Sequence, residues 1–269
     1  MEYVLSKPSI FLSKFIKHYW TFDSCIPSGQ THIQRIVPSG LLELIFYLGD
    51  KPVSVSDSKS INEKTVITGH LGEFYDIQVT GQLSLFSIIF KPHGLSAFFD
   101  IPLNSFYDRN VSLRDIIKHE ADELETRLIE AGSFSERKSI IESYLFRRLK
   151  NNDNRNNFAR IDHSINLITQ SKGGINIDSL ASEACLSRKQ FERQFLSYAG
   201  ISPKKFLKTI RFQNAIDIKS KDNSVSLMDL THLCGYYDQS HMINDFQKLT
   251  GMTPRQYFKE SEPFSDYFQ

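Results

Sequence analysis

The chain has 269 residues, of which 40% are hydrophobic, and this is enough apolar material for two separate cores. The formal net charge of +1 excludes a uniformly basic nucleic-acid-binding protein, so any such surface has to be local. The three cysteines are far apart, the N-terminus lacks a signal-peptide layout, and no apolar run approaches the roughly 20 residues of a membrane span, so we expect a cytoplasmic protein without membrane contact.

Residues 1–150 predict a β-rich domain. Short segments rich in Val, Ile and Phe alternate with clusters of Gly, Pro, Asn and Asp, as in GLLELIFYLGD, FYDIQVTG and LSLFSIIFKPHG. This pattern is typical of an antiparallel barrel or sandwich. Two amphipathic helices are expected to follow near 112–131 and 134–149, and Ser112 and Ser133 are placed to cap them.

The β-rich part contains no recognisable catalytic or metal-binding arrangement. Its histidines, His18, His32, His70 and His93, lack the H-x-H or H-x-x-x-H spacing of a metal site. His70 with Glu73 is the nearest approach, and a structural histidine is the simpler interpretation. The chain has no nucleophile motif, phosphate-binding loop or dinucleotide fingerprint, and its cysteines lie outside any C-x-x-C. We therefore predict no catalytic residue, no metal ligand, no cofactor and no enzyme activity.

A polar stretch at 151–157 predicts a linker to a C-terminal domain, 158–269, in which one pattern occurs twice. SLASEACLSRKQFERQFLSYAGISP aligns with DLTHLCGYYDQSHMINDFQKLTGMTP, so that Phe195 matches Phe246 at an offset of 51. Upstream of the turn the offset is 50, because Tyr237 is an extra residue in the second turn. Each copy predicts two short helices joined by a tight turn.

The first helix-turn-helix unit is expected at about 176–200. Ser187 and Gln190 have the spacing of a capping box at the start of its second helix. Phe191 and Phe195 follow at i, i+4 spacing and are predicted to face the core.

The second unit is expected at about 226–251, with Ser226 and Asp238 as the helix caps and Gly235 in the turn. A long helical pattern at about 203–220 joins the two units. Because a duplex presents equivalent major-groove faces about 34 Å apart, two rigidly spaced recognition helices would enter successive grooves. The inward residues predicted for the first helix of this unit are Leu230, Leu233 and Cys234, and Cys185 is also expected to pack in a helix core.

One ordered set of motifs runs through 175–258. It consists of L-A-x-x-A-x-L-S, F-x-R-x-F-x-x-x-x-G-I-S-P, Arg211 on the linker helix, C-G-Y, and G-M-T-P-x-x-Y-F. This set resembles the double helix-turn-helix domain of the AraC/XylS family of bacterial transcription regulators. The resemblance implies a sequence-specific activator or repressor that binds double-stranded DNA, with RNA polymerase as a further partner. The departures are Cys185, where the family usually has glycine in the turn, and Asn244 and Gln247, where the family commonly has cations.

Candidate DNA contacts follow from the resemblance and from the outward faces of the two recognition helices. Arg193 matches the base-contacting arginine of the family, and a guanidinium can pair with guanine O6 and N7. Residues 160–211 carry nine Lys/Arg against four Asp/Glu, whereas 212–269 carry five against eight, so the first unit should dominate phosphate attraction. Solvated helix residues are the competing interpretation for each candidate. The predicted base contacts are Arg188, Lys189, Gln190, Arg193, Gln239, Ser240 and Asn244, and the predicted phosphate contacts are Ser187, Lys204, Lys205 and Arg211.

The N-terminal half carries looser motifs, namely Tyr19 with Trp20, V-P-S-G-L-L-E-L-I-F and F-K-P-H-G. They resemble the N-terminal domain of a subset of AraC-like proteins, which implies a cupin-like module that binds an effector or forms a homodimer. The expected fold class is therefore α+β, with a cupin-like barrel and two trailing helices followed by an all-α domain. Two alternatives stay open: a cupin-type metal enzyme or a protein-interaction module, in either case fused to a DNA-binding domain. The sequence names neither a small-molecule effector nor a protein partner.

Overall fold

The structure, a computed structural model, describes residues 2–55, 59, 61, 63–149 and 155–260. The chain divides into two compact units. The first consists of Met1–Gln34, Leu41–His70 and Tyr75–Asp153, and the second of Arg35–Gly40, Leu71–Phe74 and Asn154–Gln269. Strands lie in the N-terminal half and helices fill the C-terminal half, which confirms the predicted α+β class.

The described strands form two open sheets. They are β1 (Glu2–Ser6), β2 (Ile16–Cys25), β3 (His32–Ile36), β4 (Leu42–Tyr47), β5 (Val53–Ser54), β6 (Thr65–Thr68), β7 (Tyr75–Val79), β8 (Gln82–Phe90) and β9 (Asn110–Ser112). One sheet has the order β1-β2-β8-β4-β6-β9 and the other β3-β7-β5. The expected barrel is not closed among the described residues, because β1 and β9 lie at opposite edges of the six-stranded sheet with four strands between them.

Three helices follow the strands: α1 (Leu113–Ile117), α2 (His119–Glu130) and α3 (Phe134–Arg148). The helix expected at 112–131 is therefore broken, and the break lies at Lys118, whose φ of +51° is left-handed. The predicted serine caps are present. Ser112 accepts a hydrogen bond from the Arg114 backbone N–H, and Ser133 accepts one from the Glu136 backbone N–H.

The two faces of the six-stranded sheet differ in chemistry. One face is apolar and packs on α3, where the Phe134 ring lies 5.8 Å from the Phe86 ring. The opposite face carries Trp20 directly across from Ser87, and Glu43 shares this face. Trp20 Nε1 donates a hydrogen bond to Glu43 Oε1 at 3.0 Å, and the Ser87 hydroxyl donates to the same oxygen. A carboxylate is thus buried inside the first unit.

Burial raises the pKa of Glu43 to about 7, and the hydrogen bonds from Ser87 and Trp20 offset part of that rise. On the same face, burial followed by the charge of Lys17 lowers the pKa of His18 to about 4. Both groups are therefore held towards their neutral forms. An acid whose folded pKa lies above its unfolded value loses stability as the pH rises, whereas a histidine with a lowered pKa loses stability as the pH falls.

The substitution Glu43→Gln should remove the cost of ionising this carboxyl. Glu43 destabilises the fold increasingly as the pH rises from its ordinary pKa of 4.5 to about 7. We expect the free energy of unfolding of Glu43→Gln, relative to the wild type, to rise by roughly 2–3 kcal/mol between about pH 4.5 and about pH 8. Denaturant unfolding monitored by tryptophan fluorescence measures this difference, and the contribution of His18 cancels in it.

The exposed Glu130→Gln variant, on α2 of the same unit, is the matched control and should show no such pH dependence. A Glu43→Gln difference that stays constant with pH would mean that the pKa of Glu43 is the same in the folded and unfolded states, and would contradict the effect of burial.

The second unit is helical. Its helices are α4 (Arg155–Gln170), α5 (Ile177–Glu183), α6 (Arg188–Ala199), α7 (Pro203–Lys221), α8 (Leu227–Leu233), α9 (Gln239–Thr250) and α10 (Pro254–Glu260). Helix α7 corresponds to the linker helix expected at 203–220. Of the linker expected at 151–157, residues 151–154 lie outside the described residues and 155–157 begin α4.

Two stretches from the N-terminal half of the chain belong to this helical unit. Val37 lies in the same buried hydrophobic cluster as Phe212 and Phe246. The Arg35 guanidinium lies 4.2 Å from the centre of the Phe74 ring and donates a hydrogen bond to the Thr250 carbonyl at 2.9 Å. Residues distant in sequence therefore complete the core around α7 and α9.

The inward face of α8 differs from the predicted one. Leu230 and Cys234 are buried as expected, but Leu233 is 58% exposed. Thr231 takes the inward place instead and is 3% exposed. The reason is helical geometry: positions i, i+1 and i+4 lie on one face, and i+3 falls at its edge at the last turn of a short helix.

The two helix-turn-helix turns have the same backbone conformation. Cys185 has a φ of +53° and Gly235, its equivalent, has a φ of +69°. Cys185 is exposed, so the expectation that it packs in a helix core is wrong. A side chain at a left-handed position costs about 1–2 kcal/mol. The first turn therefore carries a strain that the second turn avoids.

Replacing Cys185 with glycine should relieve that strain. We expect Cys185→Gly to stabilise the second unit by about 0.5–1 kcal/mol, because part of the gain is lost to greater freedom of the unfolded chain. Urea unfolding followed by far-ultraviolet circular dichroism measures the change. Cys185→Ser keeps the side-chain strain and serves as the control. An equal gain in both variants would show that the thiol, not the backbone, sets the stability of this turn.

Candidate nucleic-acid interface

Helix α6 begins at a complete capping box. The Ser187 hydroxyl accepts from the Gln190 backbone N–H, and the Gln190 side chain accepts from the Ser187 backbone N–H at 3.2 Å. Phe191 and Phe195 are fully buried, and the Phe195 ring lies 5.7 Å from the Phe206 ring of α7. These anchors fix the rotation of α6 and turn its opposite face outward.

The outward face of α6 is basic, but its cations are not equally available. The Arg188 guanidinium lies 3.2 Å from carboxylate oxygens of both Asp178 and Glu192. Lys189 and Arg193 are exposed, and neither forms a hydrogen bond or ion pair with any residue that the structure describes. Arg193 is therefore ready to bind an external acceptor, whereas Arg188 would first have to leave two carboxylates.

Helix α9 presents a neutral polar face. Met242 and Phe246 are fully buried, as the anchor spacing predicts. The sequence contains no Lys or Arg between 222 and 247, so this face carries hydrogen-bonding groups without positive charge. Tyr237, the extra residue of the second turn, is 89% exposed just before the cap Asp238. The exposed polar residues predicted to contact bases are Gln239, Ser240 and Asn244.

The predicted phosphate contacts differ in their surroundings. Lys204 and Lys205 are exposed on the first turn of α7, and Ser187 lies at the start of α6. Arg211 is half-buried, donates to the Gly173 carbonyl at 3.2 Å and lies 5.7 Å from the centre of the Tyr236 ring. At least one of its N–H groups is therefore committed inside the unit.

A buried ion pair joins the linker helix to the second recognition helix. Lys208 Nζ lies 2.7 Å from Asp245 Oδ1, and the Asp245 side chain is 8% exposed. His241 Nε2 lies 3.8 Å from the other oxygen of Asp245. The sequence analysis gives no sign of this pair, because the partners are far apart in the chain and neither belongs to a motif. Asp245 follows Asn244, so the pair fixes the helix that carries a predicted base contact.

The described part of the chain contains no group of three or more His, Cys, Asp or Glu side chains that could bind a metal ion. Searched over those same residues, the chain has no helix whose length and apolar character would let it cross a membrane.

Two family models match separate parts of the chain. A family described as a domain of unknown function (DUF6597) matches residues 6–112, and a family described as a helix-turn-helix domain matches residues 180–260. The second match covers both turns, the linker helix α7 and α10.

Curated relatives match the chain in part. MtrA of Neisseria gonorrhoeae, an HTH-type transcriptional regulator, is 32% identical over 103 residues, which are 38% of this chain and 34% of MtrA. RhaS of Escherichia coli, an HTH-type transcriptional activator, is 26% identical over 81 residues, which are 30% of this chain and 29% of RhaS. The chain spans about a third of the length of the curated relatives it matches. The solved structure of ToxT from Vibrio cholerae is similar with 10% identity and a TM-score of 0.48, over 90% of this chain and 98% of ToxT.

Removing the cation of the buried pair should destabilise the second unit. Lys208→Met leaves the buried Asp245 carboxylate with only His241, at 3.8 Å, beside it, and we expect a loss of about 2–3 kcal/mol. The double variant Lys208→Met with Asp245→Asn should recover most of that loss, since no buried charge remains. Urea unfolding followed by circular dichroism measures both.

Lys204→Met replaces an exposed lysine of the same helix and is the control, with an expected change within about 0.5 kcal/mol. A loss for Lys208→Met no larger than for Lys204→Met would show that the pair does not hold α7 and α9 together.

Proposed function

We propose that this protein is a sequence-specific DNA-binding transcriptional regulator of the AraC type, because a family described as a helix-turn-helix domain matches residues 180–260. The observation that carries the proposal is the pair of recognition helices, α6 and α9, anchored to one continuous helix, α7. Two recognition helices that are packed against one continuous helix can enter two successive major grooves on one side of a duplex. A single chain would then read two half-elements.

In this proposal α6 supplies most of the affinity and the sharper base reading. Arg193 pairs with guanine O6 and N7, a contact that is worth about 1–3 kcal/mol of discrimination against other bases. Lys189 adds a second cation on the same exposed face, and Arg188 contributes after exchange of its carboxylate partners. Gln190 is also a proposed base contact, although its side chain already completes the capping box.

Helix α9 reads bases with neutral groups. Gln239 and Asn244 have side-chain amides that suit adenine N6 and N7, and Ser240 offers a hydroxyl to either kind of edge. Its lysine, Lys248, lies in the last turn, away from Gln239 and Ser240, so the proposed contribution of this helix is selective rather than strong.

Backbone phosphates are contacted from the ends of α6 and α7. Lys204 and Lys205 bind by charge, and the α6 N-terminus at Ser187 offers its helix dipole. Arg211 is the weakest of the four proposed phosphate contacts, because its guanidinium already donates to Gly173.

The N-terminal half is proposed to control the DNA-binding half. The proposed effector is a small molecule or a protein partner. It binds one conformational state of the protein more tightly than the other, and this difference in affinity couples effector binding to DNA binding. RNA polymerase contact and homodimerisation are part of the same proposal, as is a cytoplasmic location, where chromosomal DNA lies. The protein is proposed to have no enzyme activity, in keeping with relatives that are transcriptional regulators. A cupin-type metal enzyme and a protein-interaction module are the alternatives for this half.

Selection from a random duplex library at about 150 mM salt tests the function, since nonspecific attraction is screened there. We expect an asymmetric motif with two half-elements about 10 base pairs apart. Binding that appears only at low salt and enriches no motif would contradict sequence-specific reading.

Two substitutions should separate base reading from phosphate binding. Arg193→Ala should weaken the selected motif by about tenfold or more while leaving random DNA nearly unchanged, because it removes a base contact. Lys205→Ala should weaken both by a similar factor, because phosphates carry no sequence information. Lys14→Ala, an exposed lysine of the first unit, is the control. Equal losses on motif and random DNA for both variants would overturn this division of roles.

A further inference from the structure

The Glu43 carboxylate uses only one of its oxygens within the protein. Trp20 and Ser87 both donate to Oε1, and Oε2 accepts no hydrogen bond from any described residue. The residue is 6% exposed. A strong acceptor at a buried site therefore has no hydrogen-bond partner among the described residues.

An aromatic pair, Tyr3 and Trp20, lies beside this carboxylate. The Tyr3 ring lies 5.8 Å from the Trp20 ring, and Tyr3 is 42% exposed at the sheet edge. Burial first, and then the charge of Glu43, raises the pKa of Tyr3, which places this phenol within electrostatic reach of the carboxylate. Tyr47 and Tyr75 also feel the charge of Glu43. An acid beside aromatic rings is an arrangement that binds organic cations.

No cation of the described chain forms an ion pair with Glu43. Lys59 lies near the Tyr75 ring, but its Nζ is 3.0 Å from Asp108, so that charge is already balanced. His18 shares the sheet face and is held neutral at physiological pH by its lowered pKa. When Glu43 ionises, no described residue supplies its counter-ion.

Packing alone does not require an acid at this position. A glutamine would accept the same two hydrogen bonds from Trp20 and Ser87 without carrying a charge. The position of Glu43 is therefore better suited to a ligand than to the core.

From these observations we propose that Glu43 binds a small organic cation, a protonated amine bearing an apolar group, within the first unit. The ammonium group donates a hydrogen bond to Oε2, and Trp20 and Tyr3 cover its apolar part. The inference rests on the proposed function in that this cation is the effector of the regulator.

Titration of the full chain with benzylamine tests the site directly. Trp20 is the single tryptophan of the chain and donates to Glu43, so its fluorescence reports binding at this carboxylate. We expect a saturable change with benzylamine near neutral pH. Benzyl alcohol and phenylacetate match the shape of benzylamine but lack its positive charge, and both should bind at least about tenfold more weakly. Equal affinity for the alcohol or the carboxylate, or no saturable change with the amine, would overturn the proposal.

Two variants locate the response. Glu43→Gln should weaken benzylamine binding by about tenfold or more, because it removes the negative charge and retains the shape. Glu130→Gln, an exposed acid of the same unit, should bind like the wild type. Retained binding in Glu43→Gln would overturn the assignment to Glu43, with its fold checked by thermal unfolding. If that variant does not fold, the affinities of the wild type for benzylamine, benzyl alcohol and phenylacetate still test the proposal.

Failure of this inference is distinguishable from failure of the proposed function. The duplex selection is carried out on the wild type without amine, and an enriched motif would stand whether or not benzylamine binds. If the proposed function and the amine site are both correct, benzylamine should change the affinity of the protein for the selected motif. Its affinity for random DNA should stay the same, since an effector acts through the sequence-specific state.

Discussion

Helix α7 supplies an aromatic ring to each of the two helix-turn-helix cores, and the arrangement of the helical unit depends on this sharing. Phe206 lies 5.7 Å from Phe195 in the first core, and Phe212 lies 5.0 Å from Phe246 in the second. Because both rings project from one helix, neither recognition helix can rotate about it without exposing aromatic surface. The buried lysine–aspartate pair adds a charged contact to the second core. Rigid spacing between the two reading helices follows from this packing.

The two helix-turn-helix units share a backbone but not a surface. Cys185 and Gly235 have the same left-handed conformation, and each second helix starts at a side-chain cap and ends at a left-handed glycine, Gly200 or Gly251. Outward positions are free of these constraints and have diverged. Helix α6 carries exposed cations, whereas the second unit has no Lys or Arg between 222 and 247. The two units are therefore alike in their cores, where packing constrains them, and differ in the charge of their surfaces.

A similar contrast divides the six-stranded sheet of the first unit. One face buries Phe86 against α3, where only shape and apolar area matter. The other buries Glu43, whose Oε1 accepts two hydrogen bonds and whose Oε2 accepts none from a described residue. An unpaired buried acid costs stability, and its burial accordingly raises its pKa to about 7. Such a cost is typical of positions kept for binding rather than for folding.

Local features of this protein followed from its sequence. The helix caps at Ser187 and Asp238, the anchors of both recognition helices and the α+β class all depend on spacings within a few residues. Contacts between residues far apart in the chain did not follow from the sequence. Strand order, the open sheets in place of a barrel, the pairing of Lys208 with Asp245, and the inclusion of 35–40 in the helical unit join residues far apart in the chain. The sequence determined which faces are apolar and where helices begin, because those depend on neighbours along the chain; only the tertiary structure decided which distant groups meet, because that depends on how whole faces exclude water together.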